Sequence, residues 1–231
     1  MDRREAAALL VLAAAVVGGV SYVASWNLGL PDAASLAWKG SGVGLLAIYA
    51  ALKARTFDGW LVAAVIALGA AGDVLLGPAG PVGGGLAFLI GHLVAVWLYL
   101  RNRRVETTLS QRLLAIILVP ATVFIAFKLP ADRAMAGPVA AYALGLGLMA
   151  ATAWISRFPR RLTGIGALMF VVSDLLIFAR MGPLAGQEWV GYAIWGLYFA
   201  GQLAIVLGVT RTIARPDQAG PFGPATENRG E

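Results

Sequence analysis

Long apolar runs separated by short polar punctuation recur along the whole chain. Stretches such as AAALLVLAAAVVGGV and LLAIILVPATVFIAF lack both the alternation of a half-buried strand and the single stripe of a helix packed on a soluble core. They are apolar on every side. Eight such runs are read as helical spans: 5–24, 36–53, 59–77, 82–100, 111–128, 134–155, 163–180 and 188–211. Each has about the 17–25 residues that cross a hydrocarbon layer at roughly 1.5 Å per residue. Turn residues mark the connections, as in NLGLPD, TFDG, GPAGP, LPADR, RFPRR and MGPLAG. Residues 1–25 resemble a secretory signal, but the apolar stretch is long for one and is read as the first helix. The predicted organisation is a transmembrane domain over 1–211 and a polar, Pro- and Gly-rich disordered tail over 212–231.

Lys and Arg positions orient these spans. With the N-terminus in the cytoplasm, the inner side receives Arg3, Arg4, Lys53, Arg55, Arg101, Arg103, Arg104, Arg112, Arg157, Arg160, Arg161, Arg211, Arg215 and Arg229. The outer side receives only Lys39, Lys128, Arg133 and Arg180, so both termini are expected inside. A weak internal similarity runs alongside. AAGDVLLG in span three resembles VVSDLLIF in span seven, and FLIGHLVAV in span four resembles YFAGQLAIV in span eight. That pattern predicts two parallel four-helix repeats.

Composition agrees with a membrane protein: 59% of the 231 residues are hydrophobic, only 13% are charged, and mean hydropathy is +0.78. A soluble domain carries about a quarter charged residues. The fold class is therefore an all-α membrane protein. The net charge of +6 reflects basic cytoplasmic loops and does not point to nucleic acid. With no cysteine and one histidine, the chain cannot build a three-His or Cys/His zinc site. Heavy use of Ala, Gly, Leu and Arg suits a GC-rich bacterial genome, and the expected location is the bacterial inner membrane.

Against this background a few polar residues stand inside the spans. Asp73 and Asp174 lie near the outer ends of spans three and seven, and Lys39 lies near the outer end of span two. His92, Tyr198 and Gln202 lie just beneath, and Ser173 adjoins Asp174. A charged residue at the centre of a spanning helix costs about 2.5–3.5 kcal/mol on insertion scales, so such groups face the bundle interior and pair with one another. Gathered at one depth, they predict a polar pocket open toward the outer leaflet. Structural alternatives exist for each. Lys39 can snorkel, His92 can donate to a carbonyl, Tyr198 and Gln202 can join helices, and the aspartates can form an ion pair with Lys39. Ser173 can bond back to its own helix or allow close packing. Trp60, Trp97, Trp189 and Trp195 read as interface belts or core.

Taken in order, Lys39, Gly72-Asp73, Gly91-His92, GALMFVVSD (166–174), and Tyr198 with Gln202 resemble the YhhN-like family of lysoplasmalogenases. The resemblance covers spans two to eight, with one departure: Gly40 stands where the family commonly has Pro after the Lys. It implies an eight-helix membrane hydrolase that cleaves the vinyl ether of a lysoplasmalogen, a lysophospholipid, to a fatty aldehyde and a glycerophospho-alcohol.

The residues suit that chemistry. Protonating an enol ether at its β-carbon creates an oxocarbenium-like cation that water then attacks. The reaction needs a proton donor and an anion, as in glycoside hydrolysis by two carboxylates. Asp73 and Asp174 are the expected catalytic pair, with Asp174 favoured as the acid and Ser173 as a hydroxyl that tunes it. His92 is expected to relay protons or orient groups, Lys39 to meet the lipid phosphate, and Tyr198 and Gln202 to order water or glycerol hydroxyls. No metal and no cofactor is called for. Two other classes share the same residues: a proton-coupled transporter, which the absence of a clear midplane Pro/Gly break disfavours, and a non-catalytic lipid-binding membrane protein. A retinal-type receptor is set aside for want of a Lys in span eight, and a zinc ceramidase-like hydrolase on histidine count.

Overall fold

The computed structural model describes residues 2–214, which are helical throughout apart from loops and one isolated bridge between Arg103 and Ser156. Eight α-helices succeed one another: α1 (Arg3–Ser21), α2 (Asp32–Lys53), α3 (Phe57–Leu75), α4 (Gly80–Arg101), α5 (Leu109–Lys128), α6 (Ala136–Ile155), α7 (Ile165–Ala179) and α8 (Trp189–Ile213). Counting the short turns that extend α1, α6 and α7, all eight are long and apolar enough to cross a membrane. The chain is a multi-pass membrane protein.

Local chemistry explains the helix limits. Thr56 accepts from the Gly59 N–H at 3.2 Å and caps α3, and Thr108 with Gln111 forms a capping box at α5. α2 starts at Asp32, earlier than the predicted 36, with the carboxylate in the first turn where it complements the helix dipole. A 3₁₀ segment, Tyr22–Asn27, continues α1, and a π-turn, Arg160–Gly164, follows Pro159 into α7. Pro120 lies inside α5, yet the helix runs on through it. Thr212 and Ile213, predicted to open the tail, close α8 instead, while the rest of the expected tail, 215–231, lies outside the described residues.

Sequential helices pack as neighbours except α4 and α5, since α4 lies against α6 instead, and α8 also lies against α2 and α3. At one end of the bundle, basic side chains satisfy the carbonyls that helix ends leave unpaired. Arg4 donates to Leu52 O at 2.7 Å and Ala54 O at 3.2 Å, and Lys53 pairs with Glu5 at 2.8 Å. Arg104 donates to Ser156 O at 2.6 Å, and Arg101 and Asn102 both reach Asp58. The lateral surface is apolar, with Leu10, Val17, Val82 and Ile116 all exposed. Trp60, Trp97 and Trp189 are exposed as well, while Trp195 is buried and donates to Gly19 O at 2.7 Å.

Small residues set how closely the helices meet, as is usual where burial of apolar area cannot drive association. At the α7–α8 crossing, a Cβ on Gly201 would stand 2.7 Å from Gly166 O, and one on Gly166 would stand 2.7 Å from Gly201 O. Both obstacles are backbone and cannot swing aside. Gly196, on the same helix, would meet nothing within 4 Å. Gly201→Ala is therefore expected to destabilise the protein by about 1–3 kcal/mol through overpacking, with Gly196→Ala close to neutral. Thermal unfolding in detergent compares the two.

Candidate active site

Asp73 enters the bundle interior from the last turn of α3. Its side chain is 3% exposed and its oxygens face different partners: Lys39 Nζ of α2 lies 3.3 Å from Oδ1, and the Tyr198 hydroxyl of α8 donates to Oδ2 at 2.7 Å. Gln202, one helical turn after Tyr198, donates through Nε2 to the Tyr198 oxygen at 3.5 Å. Gly69 makes this arrangement possible, because a Cβ there would stand 2.6 Å from Gln202 Nε2. Gly72, before the aspartate, leaves space for the Phe88 ring, which a Cβ would meet at 2.7 Å.

Asp174 is the centre of a second network. It is 7% exposed, and the Tyr142 hydroxyl of α6 donates to its Oδ2 at 2.7 Å. His92 Nε2 of α4 lies 3.0 Å from the Tyr142 oxygen and 4.0 Å from Asp174 Oδ2. Because Tyr142 spends its proton on the carboxylate, its oxygen is left as the acceptor toward His92. The tautomer assigned from this network carries the imidazole proton on Nε2. Each aspartate thus takes a tyrosine proton, and each tyrosine takes an N–H from a third residue.

Aromatic rings wall the two networks. Phe170 sits between them, with ring centroids 5.0 Å from His92 and 5.2 Å from Tyr198. Phe88 touches Phe170 and Tyr198 edge-on, at 6.2 Å and 5.8 Å. These edge-to-face contacts hold the polar chains in fixed positions inside a buried, largely apolar interior. Below the rings lies a cavity of about 20 Å³, touched by His92, Gln202 and Tyr99 and otherwise apolar.

Six of the seven expected residues gather in these two networks. Lys39, Asp73, Tyr198 and Gln202 form one; His92 and Asp174 belong to the other. Ser173 joins neither: its hydroxyl donates to Ile194 O on α8 at 3.0 Å, so it ties α7 to α8 rather than touching Asp174. The ion pair that stood as the structural alternative for the aspartates forms in part: Lys39 meets Asp73. Sequence reading missed Tyr142, which supplies the hydrogen bond to Asp174. Its signal was a lone phenol inside the small-residue run AAYALGLG.

Comparison with known proteins adds to this geometry. The model of the YhhN family matches residues 34–209, from α2 into the last turns of α8. Two proteins called lysoplasmalogenase, from Mycobacterium bovis and Mycobacterium tuberculosis, are each 32% identical over 172 residues, or 69% of this chain. The aligned part spans 64% of the length of each relative. No solved structure matches the chain significantly.

The Tyr142–Asp174 hydrogen bond makes a direct prediction. Tyr142→Phe should lower stability by about 1–3 kcal/mol, the cost of depriving a buried charged or polar acceptor of its donor. In an Asp174→Ala background the same change should cost far less. Thermal unfolding of the four proteins in a double-mutant cycle measures the difference.

Proposed function

The chain belongs to the YhhN family, and on that premise we propose that it hydrolyses the vinyl ether of a lysoplasmalogen to a fatty aldehyde and a glycerophospho-alcohol. The observation that carries this reading is the pair of buried aspartates on separate helices, each hydrogen-bonded by a tyrosine, with a Lys or Arg beside only one of them among the described residues. The name of the Mycobacterium relatives points to the same activity.

The electrostatic asymmetry assigns the roles. Asp73 has the Lys39 ammonium 3.3 Å away and serves as the anion. Asp174 has only a phenol and an imidazole beside it and serves as the acid. In the first step the enol ether's π electrons take the Asp174 proton at the β-carbon, leaving an oxocarbenium ion that the Asp73 carboxylate stabilises. Water then adds to the α-carbon and gives a proton to a carboxylate, forming a hemiacetal. The C–O bond to the glycerol breaks as its oxygen gains a proton and the hemiacetal hydroxyl loses one. One water is consumed, and the proton count balances across the two aspartates.

The remaining residues serve these steps. Tyr142 and His92 orient Asp174, and Tyr198 and Gln202 orient Asp73. Lys39, at 20% exposure more open than either carboxylate, is the side chain we expect to meet the phosphate of a lysophospholipid headgroup. The excess of Lys and Arg at the opposite end supports cytoplasmic termini, a site opening toward the outer leaflet, and residence in a bacterial inner membrane.

Purified protein in detergent is expected to release aldehyde from a lysoplasmalogen. Asp174→Asn should reduce turnover by about 10²–10⁴-fold, the usual worth of a positioned general acid, and Asp73→Asn by a comparable factor. Aldehyde release is read by a coupled dehydrogenase, with thermal unfolding as the control for folding. A carrier or a lipid-binding scaffold would release none.

A further inference from the structure

α4 and α5 follow one another in sequence but scarcely touch, and residues 102–108 join them. The backbone of that connection is strapped to the end of α6. Arg103 pairs with Ser156 in the isolated bridge, the Arg104 N–H donates to Ile155 O at 3.1 Å, and the Arg157 N–H donates to Asn102 O at 2.7 Å. Between this strap and the first turns of α5 opens a cleft of about 440 Å³, within the usual range of a ligand site. Arg103, Arg104 and Arg112 bring three guanidinium groups to it, and Ala115, Ile116 and Ile155 an apolar wall. Arg101, Leu109 and Ile155 are ends of three spanning helices, so the cleft sits where hydrocarbon gives way to headgroups. Tyr142 and Ile155 are about 20 Å apart along α6 at 1.5 Å per residue, which makes the cleft remote from the Asp174 network.

Elsewhere at this end of the bundle basic side chains meet acids: Lys53 pairs with Glu5, and Arg101 with Asp58. The three in the cleft do not. Arg104 donates to the carbonyls of Ser156 and Phe158, and Arg112 donates to Thr107 Oγ1 at 2.8 Å. The Arg103 side chain makes no hydrogen bond or ion pair among the described residues. Glu106, the one acid of residues 102–112, is exposed and likewise forms no ion pair among them. Burial and the charge of Arg160 push the Arg104 guanidinium below its ordinary value. Positive charge gathered on a fixed backbone without a counter-ion suits an anion, and the planar guanidinium fork matches phosphate oxygens. The apolar wall indicates what carries the phosphate. Val105 is 98% exposed and Ile116 67%, beside the arginines, where acyl chains would cover them and a free phosphate would not. We propose that this cleft binds an anionic diacyl phospholipid from the leaflet at the basic end of the bundle. Its phosphate rests on Arg103, Arg104 and Arg112, and its chains run along Ile116 and Ile155. The lipid supplies the missing counter-charge and joins α5 to the strap and α6. The site is independent of the chemistry proposed for the two aspartates.

Arg103→Gln removes a charge that holds no other residue, so the fold is kept, and Arg103→Gln with Arg112→Gln removes two. Arg104 stays in place because it serves the Ser156 and Phe158 carbonyls. The full chain in detergent is titrated with phosphatidylglycerol or phosphatidylcholine, and bound lipid is counted by native mass spectrometry. The wild type is expected to prefer phosphatidylglycerol, and each arginine removed should weaken its binding about fivefold. Arg3→Gln with Arg55→Gln removes two exposed charges from the same end outside the cleft and should leave binding unchanged. Undiminished binding by the cleft variants, or an equal loss in the Arg3 and Arg55 variant, overturns the proposal. Phosphatidylglycerol should also raise the wild type's melting temperature more than the double cleft variant's; an equal rise overturns the site. Glycerol 1-phosphate is the soluble arm, and binding as tight as that of the lipid would overturn the lipid as occupant.

Discussion

A carboxylate inside an apolar bundle must be met by donors, and most of this interior is arranged around two of them. Asp73 and Asp174 are almost fully buried, in a setting where an unpaired charge costs several kcal/mol. Water cannot supply their hydrogen bonds freely at that depth, so the protein does. The donors come from four other helices: Lys39 from α2, His92 from α4, Tyr142 from α6, and Tyr198 and Gln202 from α8. Folding the site and folding the bundle are thus the same event, because no helix pair contains a complete network.

Glycine and aromatic residues divide the supporting work. Gly69 and Gly72 thin α3 so that Gln202 and Phe88 can reach the level of Asp73, and Gly166 and Gly201 bring α7 and α8 into backbone contact. The rings of Phe88 and Phe170 fill the space that close approach leaves between the polar chains. Even α1, which lies outside the matched family region, is tied in: Trp195 donates to Gly19 O while its ring touches Tyr198. A residue two helices before Asp73 in sequence order thereby helps hold the tyrosine that bonds it.

The number of spans and the clustering of six of the seven candidate residues were legible in the sequence because membranes simplify the signal. A long apolar run has one stable fate, and a charge within it has few reasons to exist. Tyr142 was not legible for the converse reason. Tyrosine is common at membrane interfaces and in cores, so its presence in an apolar run carries no warning until its hydroxyl's partner is known. Ser173 misled in the opposite way: adjacency to Asp174 in sequence suggested contact, but neighbouring helical residues point in different directions. Its hydroxyl accordingly reaches across to α8. The helix ends shifted where capping and turns, rather than hydropathy, set the limit, as at Asp32 and at the π-turn of Arg160–Gly164.

The two networks are built to the same plan yet are chemically unequal, and it is on this inequality that the proposed division into acid and anion rests. Aspartate, tyrosine and a nitrogen donor recur in both, and the nitrogen donors, His92 and Gln202, are the residues paired by the internal sequence similarity. Only one network contains a full positive charge. Were Lys39 able to serve both carboxylates, the difference between an anion and an acid would blur. Phe170 contacts His92 of one network and Tyr198 of the other, while the ammonium pairs with Asp73 and the phenol–imidazole pair meets Asp174. Acid catalysis on an electron-rich double bond needs such separation: a proton held on one side and a negative charge kept on the other, close enough to act on one substrate. In the proposed hydrolysis, an apolar ring in contact with both polar chains contributes to that separation, because it lowers the local dielectric around each.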